Sequence, residues 1–454
     1  MKRTRASAVL LVLMLVAAAC GQKANVGGSN VSAGGGLESA GDSSGASGVG
    51  GGDGGTSTGG SGATGGATGA TGGASSAGGG SAAGGSAAGG AASGGTQAGG
   101  GGAAAPAGDR TGITDKEIVI GIHAPVSGAA PFPQNSFSDG AAVYWDWLKD
   151  KGGVFGRNVR VVFEDDEFTP STARRVCSKM VEQDKVFLLI GGGGADQITA
   201  CANYANSVGV PYLSAGVNEA GLSNIRAYFA LSLTYAQQSP MLAQLAKTLG
   251  KKVGIAVADT ESFADAHASI QKAMKSLGLN IVYDEKIPKS ASQAEALSVA
   301  NKMRTSGAEV IYFLASPTTF LNVASAAGGQ GYVPKYIGPA RFLSPFPQLD
   351  VIDKLDPDYQ RAYQAKRGKA GDDIGIALWG LAKTLHQMFL AAGKDMTRQS
   401  FVQTVESGKK FVSGVYPPVQ YSATNHLGGT QAHLLQADCG SRTYKTATQF
   451  ASSF

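Results

Sequence analysis

The chain lacks the residue patterns on which most catalytic sites depend. Its five histidines are scattered, and none belongs to a His-x₃-His or Cys-x₂-Cys metal pattern. No Gly-x-Ser-x-Gly nucleophile motif is present, and neither Gly-Lys-Ser nor Gly-Lys-Thr follows the glycine run 191–194. We therefore expect no catalytic residue, no metal site and no cofactor, and we predict that the protein is not an enzyme.

The chain also lacks a basic block and a second long apolar run. Its formal net charge is only +5, and its lysines and arginines are spread along the chain without interleaved aromatic residues. Nucleic acid is therefore not an expected partner. Beyond the N-terminus there is no run of about 18 apolar residues, the length that a membrane-spanning helix needs.

Residues 21–108 lack aromatic side chains and have few large aliphatic ones. They consist almost entirely of Gly, Ala, Ser and Thr, and 36 of the 68 glycines precede Asp109. Such a segment cannot bury enough apolar surface to offset the entropy lost on ordering. We predict that residues 21–108 form a disordered linker.

The N-terminus has the layout of an export signal. Lys2, Arg3 and Arg5 precede the apolar run 6–16, and the small residues 17–19 lead to Cys20. The Ala-Ala-Ala-Cys ending resembles a bacterial lipobox, which would make residues 1–20 a lipoprotein signal peptide and leave Cys20 lipidated. The protein would then be anchored to a bacterial membrane from outside the cytoplasm, in the periplasm or on the cell surface. The alternative is a plain signal peptide that is cleaved after Ala19.

From residue 109 onward, short β-branched runs alternate with amphipathic helical patterns. The predicted strands of a first series cover residues 117–123, 159–163, 186–190 and 210–214. A second series covers residues 252–258, 281–285, 310–314 and 335–338. Two successive βα series indicate an α/β protein with two doubly wound parallel-sheet lobes.

Three features left alternatives open. His123, at a strand end, is interpreted as a hydrogen-bonded interior histidine or as a ligand contact. The glycine run 191–194 allows a close backbone approach at a helix N-terminus, or binds a phosphate. The acidic run 164–167 caps a helix and favours its dipole, or forms a carboxylate cluster for acid–base chemistry or calcium.

Three cysteines remain beyond Cys20. Each of Cys177 and Cys201 lies on a helix that follows one of two adjacent predicted strands, and an exported protein folds in an oxidising compartment. We predict a Cys177–Cys201 disulfide, with buried free thiols as the alternative and the state of Cys439 left open.

The motifs of the folded part resemble those of type I periplasmic binding proteins. These proteins form the branched-chain amino-acid-binding (leucine/isoleucine/valine-binding-like) group of ABC transporter substrate-binding proteins. The resemblance rests on the order and spacing of several short segments between residues 113 and 392: Ile118–Gly121 with Pro125–Gly128, Gly140–Ala142, Lys151–Arg157, Asp165–Asp166 before Pro170, Val210–Gly216, Gly250–Asp259 with Phe263, and Gly328–Tyr332.

The resemblance implies two lobes that are joined by a three-crossover hinge and close on a small ligand. Lobe 1 is expected to comprise residues 109–232 and about 355–410, and lobe 2 residues 233–354 and about 411–454. The positions that match the ligand-binding positions of the family are Ser127, Gly194, Ala195, Ser214, Gly216, Asn218, Phe263 and Ser316.

One departure from the family affects the expected ligand. Amino-acid binders of this group place an acid after a late Gly-Pro to hold the ligand's ammonium, whereas this chain has Ala340 and Arg341 there. Burying an ammonium without a counter-charge is costly, so a leucine-like ligand does not fit this position. Arg341 could instead form a bidentate pair with a ligand carboxylate, or lie in the rim between the lobes.

The function that the resemblance implies is that of a monomeric, extracytoplasmic solute-binding lipoprotein. It would capture a small polar metabolite (amino acid-like, an amide or a carboxylate) and deliver it to the permease of an ABC importer. A sensory receptor of the same fold, signalling to a chemoreceptor or kinase, is the first alternative. An exported hydrolase is the alternative from another class, but no residue spacing supports one.

Overall fold

The structure is a computed structural model that describes residues 108–128, 130–191, 193–214, 220–441 and 443–452. The predicted signal peptide, Cys20 and residues 21–107 of the predicted linker lie outside the described residues. So do two of the predicted ligand contacts, Gly216 and Asn218.

A five-stranded parallel sheet organises the first part of the fold. Its strand order is β2-β1-β3-β4-β5, which is a doubly wound order. All four strand pairings are parallel. The strands are β1 (Glu117–Ala124), β2 (Asn158–Asp165), β3 (Leu188–Gly191), β4 (Tyr212–Ser214) and β5 (Tyr228–Ala230).

Helices cover both faces of this sheet. Helices α2 and α3 pack against one face, and α1 and α10 against the other. The helices are α1 (Gln134–Lys149), α2 (Pro170–Glu182), α3 (Ala195–Ser207), α8 (Leu349–Leu355), α9 (Asp358–Arg367), α10 (Asp373–Ala392) and α11 (Arg398–Val405). Helices α8 and α9 have no counterpart among the elements that the sequence predicts.

A four-stranded parallel sheet organises the second part in the equivalent order, β7-β6-β8-β9. Its strands are β6 (Lys252–Ala258), β7 (Asn280–Ile287), β8 (Val310–Leu314) and β9 (Lys335–Ile337). Its helices are α4 (Tyr235–Leu249), α5 (Ala264–Ser276), α6 (Gln293–Ser306) and α7 (Pro317–Gly329). Short 3₁₀ helices lie at Ala220–Asn224 and Glu261–Phe263.

Two smaller antiparallel sheets complete the described part of the chain. One contains β10 (Arg341–Ser344), β13 (Ala432–Asp438) and β14 (Thr443–Ala451), and the other pairs β11 (Ser407–Phe411) with β12 (Val419–Ser422). No helix in the described residues combines the length and apolarity that crossing a membrane requires.

Separate hydrophobic cores define two lobes. We call lobe 1 the first sheet with α1–α3, α8–α11, β11 and β12, and lobe 2 the second sheet with α4–α7, β10, β13 and β14. The chain passes between the lobes three times, after β5, β10 and β12. Phe411 and Tyr421 belong to the core of lobe 1, so the third passage lies further along the chain than the predicted boundary near residue 411.

The predicted α/β fold with two parallel-sheet lobes is confirmed. The functional site is expected at the strand ends, because all strands of each parallel sheet have their carboxyl ends at the same edge. In doubly wound sheets, ligands bind outside that edge, near the point where the strand order reverses. In lobe 1 that point lies between β1 and β3.

Candidate functional site

A fully buried polar network underlies the carboxyl edge of the first sheet. His123, at the end of β1, contacts the Asp166 carboxylate through Nδ1 at 2.8 Å and the Tyr212 hydroxyl through Nε2 at 2.7 Å. All three side chains are 0% exposed. Burial raises the pKa of Tyr212 well above its usual value, so its hydroxyl donates to Nε2 and the imidazole donates from Nδ1 to Asp166. His123 is therefore an interior histidine whose two nitrogens are both occupied.

Gly191 shows how tightly this layer is packed. A Cβ atom at Gly191 would overlap the Tyr212 hydroxyl and His123 Nε2. The glycine at the end of β3 therefore serves a close approach of the backbone to the network.

A disulfide ties together the helices that cover this face of the sheet. Cys177 of α2 and Cys201 of α3 are bonded, with their Cα atoms 6.0 Å apart. The bond fixes α3, whose N-terminus lies at the carboxyl edge of the sheet.

The acidic run takes separate partners and does not form one carboxylate cluster. Glu164 pairs with Lys179 on α2, and Asp166 belongs to the buried network. Burial favours a higher pKa for Asp165, but hydrogen bonds from Ser127 and from the N–H groups of Val126 and Glu167 outweigh it and lower the pKa. The predicted ligand contact Ser127 thus lies in an exposed loop that Asp165 holds in place.

Two consecutive residues with positive φ follow this run. Glu167 and Phe168 have φ values of +53° and +56°, a region that non-glycine residues rarely adopt. Asp166 supports the turn, because its Oδ1 accepts a hydrogen bond from the N–H of Phe168 at 3.0 Å. Backbone strain of this kind persists only where the surroundings hold it, and it is concentrated at functional sites. Here it places the Phe168 ring beside the N-terminus of α3.

The N-terminus of α3 carries a buried side chain without partners. Gly194 is the N-cap residue, Ala195 is the first residue of the helix, and Gln197 is its third residue. The Gln197 side chain is 0% exposed, and neither Oε1 nor Nε2 has a hydrogen-bond partner among the described residues. The Ser214 hydroxyl, at the end of β4, is also fully buried and without a partner there. Each buried polar group without a partner lowers the free energy of unfolding by roughly 1–3 kcal/mol, unless a bound molecule supplies the missing hydrogen bond.

One ion pair joins this site to lobe 2. Lys289, in the loop after β7, pairs with Asp196 in the first turn of α3, and its Nζ lies 4.9 Å from the ring centroid of Phe168. The side chains of Lys289 and Asp196 are 26% and 20% exposed, so solvent screens the pair only in part. The 3₁₀ helix Glu261–Phe263 of lobe 2 also contacts α3. The carboxyl edges of the two sheets therefore face each other, and we call the boundary between them the cleft.

The predicted contact Ser316 helps to hold the loop that carries Lys289. Its hydroxyl caps α7 by accepting from the N–H of Thr319 and donates to the Thr319 hydroxyl at 3.0 Å. The Thr319 hydroxyl donates to the carbonyl oxygen of Lys289 at 2.8 Å and accepts from the N–H of Ala291 at 3.0 Å. The loop that carries Lys289 is thus anchored to the start of α7.

The two remaining predicted contacts lie on lobe 2. Phe263 ends the 3₁₀ helix that contacts α3, and its ring meets Tyr235 edge-on at a centroid distance of 5.4 Å. Arg341 begins β10 and donates from Nε to Gln436 Oε1 at 3.3 Å. Burial lowers the pKa of Arg341, and no carboxylate among the described residues forms an ion pair with it. Of the predicted residues, the structure brings Gly194, Ala195, Ser214 and Phe263 to the cleft.

One group of side chains has the spacing of a metal site. The donor atoms of His123, Cys177 and Cys201 lie within 4.8 Å of one another. The two sulfur atoms are bonded to each other and both ring nitrogens of the histidine are occupied, so in this state the group offers no free donor set.

The sequence of the folded part matches a known family over most of its length. A profile described as periplasmic binding protein matches residues 117–443. The chain belongs to the periplasmic binding protein family. Membership confirms the predicted resemblance to the type I, branched-chain amino-acid group, and it implies an extracytoplasmic location. At the level of the family, it also supports a binding protein and not an enzyme.

One curated relative is an amino acid binding protein of Pseudomonas aeruginosa. It is 26% identical over 204 residues, which are 43% of this chain and 53% of the relative. The chain thus spans about half the length of this relative.

Solved structures share the fold at low sequence identity. The branched-chain amino-acid substrate-binding protein LivJ of Streptococcus pneumoniae, in complex with isoleucine, has a TM-score of 0.62 and 18% identity, covering 74% of this chain and all of LivJ. A solute-binding protein of an ABC transporter from R. palustris, in complex with 4-hydroxybenzoate, has a TM-score of 0.60 and 19% identity, covering 74% of this chain and 96% of that protein.

The sequence did not reveal four residues of the cleft. Gln197 and Asp196 follow the glycine run at a helix start, where a polar side chain is read as a capping group. Phe168 and Lys289 lie in loops without a periodic pattern. These residues can be recognised as part of the site only from their positions in the tertiary structure, where the two lobes meet.

Proposed function

We propose that this protein is the extracytoplasmic solute-binding lipoprotein of an ABC importer, capturing a small polar metabolite between its two lobes. The observation that carries the proposal is the pair of buried, unpartnered polar side chains, Gln197 and Ser214, beside the N-terminus of α3. They lie at the carboxyl edge of a doubly wound sheet, where such folds bind ligands. A bound solute would supply the missing hydrogen bonds.

The proposed ligand is amino acid-like, an amide or a carboxylate. The named ligands of the two similar structures, isoleucine and 4-hydroxybenzoate, are small molecules that carry a carboxylate. On lobe 2, Arg341 is a half-buried cation without an acid partner in the described residues, which supports a role in binding an anionic group.

Closure of the lobes would trap the ligand. The Lys289–Asp196 ion pair and the contact between Lys289 and Phe168 form only when the lobes approach each other. A ligand that contacts both lobes binds the closed state more tightly and shifts the equilibrium towards it.

Lipidation of Cys20 would tether the binding protein to the membrane beside the permease. Replacing Cys20 by Ala should abolish labelling of the protein by radioactive palmitate in cells and release it from the membrane fraction. Labelling of the variant as strong as that of the wild type would contradict lipidation at this residue.

Thermal unfolding of the purified full chain against a compound panel tests the proposed function. The panel contains amino acids, amides, aliphatic and aromatic carboxylates, sugars and nucleosides. A ligand at 100 times its Kd adds about 2.7 kcal/mol to the free energy of unfolding, which gives a clear shift in Tm. A saturable shift with an amino acid, amide or carboxylate supports the proposal, whereas a shift with sugars or nucleosides alone contradicts the ligand class.

A further inference from the structure

We infer that the end of the ligand that meets lobe 1 is a neutral group that both donates and accepts hydrogen bonds, in the simplest case a primary carboxamide, and that Gln197 binds it. This inference rests on the proposed solute-binding function and specifies the ligand of the same site. It goes beyond the family resemblance, which matches Gly194 and Ala195, but not Gln197, to ligand-binding positions.

The Gln197 amide is the first group that points to such a ligand. Both of its polar atoms are buried and without partners in the described residues. Gln238 on α4 is also buried, at 6% exposure, but its Nε2 donates to the carbonyl oxygen of Leu233 at 3.0 Å. The Gln238 amide is thus paired through Nε2, whereas both polar atoms of the Gln197 amide lack partners among the described residues.

The direction of the Gln197 side chain places its amide at the N-terminal end of α3. A Cβ atom at Gly194 would overlap Gln197 Oε1 and would lie 2.9 Å from Cε2 of Phe168. The Gln197 amide therefore folds back onto the N-cap residue of α3, in line with the end of the helix. The missing side chain at Gly194 lets the Gln197 amide and the Phe168 ring pack closely against the backbone at the end of α3.

A second unpartnered group points to the same face of the sheet. Side chains alternate along a strand, so Ser214 faces the same side of the sheet as Tyr212. Tyr212 packs in the core between the sheet and helices α2 and α3, together with Ile198 of α3. The Ser214 hydroxyl thus lies on the α3 side, at the end of the strand, and adds a group that can donate and accept.

The charge balance favours a neutral ligand group. Asp196 already places a carboxylate in the first turn of α3, where the helix dipole favours negative charge, and Lys289 neutralises it. A ligand carboxylate at the same helix end would add a second negative charge beside Asp196. A neutral group avoids this repulsion and leaves the ion pair between the lobes intact.

The chemistry of the amide makes the choice specific. A ligand carboxylate can accept from Gln197 Nε2, but it has no donor for Oε1. A primary carboxamide offers a donor and an acceptor side by side, so it can satisfy both atoms of Gln197 in one planar pair. A carboxylate elsewhere in the ligand is compatible with this arrangement, since Arg341 lies on lobe 2.

The first experiment uses isosteric pairs of compounds on the purified full chain. Thermal unfolding is measured with propionamide and propionate, benzamide and benzoate, and L-asparagine and L-aspartate. We expect at least one amide to raise Tm saturably, with a Kd about tenfold or more below that of its carboxylate partner. Carboxylates that bind as tightly as their amides, or more tightly, overturn the inference while leaving the proposed solute-binding function standing.

The second experiment compares Gln197→Leu with the matched control Gln238→Leu. Without any ligand, Gln197→Leu should keep or raise Tm because it removes an unpaired buried amide, whereas Gln238→Leu should lower Tm because it removes a paired one. The amide that binds the wild type should bind Gln197→Leu about tenfold or more weakly and Gln238→Leu within about twofold of the wild type.

The outcomes distinguish a failure of the Gln197 inference from a failure of the proposed solute-binding function. A loss of Tm in Gln197→Leu as large as that in Gln238→Leu would mean that Gln197 serves the fold, and it overturns the inference. Wild-type affinity of Gln197→Leu for the amide does the same. Binding of none of the six compounds and of nothing in the wider panel contradicts the solute-binding function itself, and this inference with it.

Discussion

The facing edges of the two lobes satisfy their polar groups to different degrees. In lobe 1, a closed network beneath the edge occupies His123, Asp166 and Tyr212, while Gln197 and Ser214 above it have no partners in the described residues. In lobe 2, the hydroxyls of Ser316 and Thr319 are engaged in anchoring the Lys289 loop, but the buried hydroxyl of Thr260, just before the 3₁₀ helix that contacts α3, has no partner in the described residues. Under the proposed function, lobe 1 contributes two unpartnered polar groups to the ligand site, and lobe 2 contributes one such group and the cation of the interlobe ion pair.

Breaking the network of lobe 1 should have the largest effect on stability. Asp166→Ala removes a buried hydrogen bond to His123 and one to the N–H of Phe168, and it leaves His123 Nδ1 unpaired. We expect a loss of about 4 kcal/mol in the free energy of unfolding, measured by urea denaturation. Asp259→Ala breaks an exposed ion pair at the corresponding edge of lobe 2 and should cost less than about 1 kcal/mol. Equal losses in the two variants would refute the contrast.

The disulfide sharpens the same comparison, because it cross-links two helices of lobe 1. It closes a segment with a sequence separation of 24 residues. In the chain-entropy account, removing a cross-link of this length costs about 3 kcal/mol. Replacing Cys177 and Cys201 together by Ala should lower the free energy of unfolding by that amount in urea denaturation. A double variant as stable as the wild type would show that packing alone fixes α3.

A buried histidine of lobe 2 predicts a pH dependence. Burial lowers the pKa of His433 from 6.5 to about 4, although a contact with the carbonyl oxygen of Val415 acts in the opposite direction. Between pH 6.5 and about 4 the unfolded chain binds a proton that the folded chain does not, so the contribution is complete above pH 6.5 and is lost as the pH falls. The loss reaches about 3 kcal/mol.

His433→Met should remove this contribution and flatten the pH profile of the free energy of unfolding in that window. Urea denaturation at half-unit steps of pH measures it. An unchanged slope in the variant would assign the acid sensitivity to other groups.

The capping group of α7 gives the smallest effect. Ser316→Ala removes the hydroxyl that caps the helix and donates to Thr319, and the loss of an N-cap costs about 1 kcal/mol. If Ser316 contacts the ligand only through the Lys289 loop, ligand affinity should fall less than in Gln197→Leu. A larger loss of affinity in Ser316→Ala, measured by titration calorimetry, would place the direct contact on lobe 2.

The fold was more accessible to sequence reasoning than the cleft. Periodicity and turn residues are local signals, and they predicted four strands of the first sheet and all four of the second, helped by β-branched runs such as Ile118–Ile122. They missed β5, which is only three residues long and has no β-branched residue. The glycines at positions 191 and 194 predicted that other groups approach the backbone closely there, but the sequence did not identify those groups. They include His123, Tyr212 and Gln197, whose roles follow only from the packing of separate strands and helices.

Closure of the lobes through the Lys289–Asp196 ion pair can be tested by measuring the distance between the lobes. Spin labels on Arg174 of α2 and Ser298 of α6, both exposed, report the distance between the lobes; unnatural amino acids carry them, so that the native cysteines are untouched. The partly screened ion pair is worth about 1 kcal/mol, which changes the ratio of closed to open molecules about fivefold.

Pulsed electron–electron double resonance on the full chain without ligand measures the ratio of closed to open molecules in the wild type, in Lys289→Ala and in Lys286→Ala. Lys286→Ala is the control, because the ion pair of Lys286 with Asp259 lies within lobe 2. We expect a shift to longer distances in Lys289→Ala and none in Lys286→Ala. Identical distance distributions in all three proteins would contradict closure by the Lys289–Asp196 ion pair.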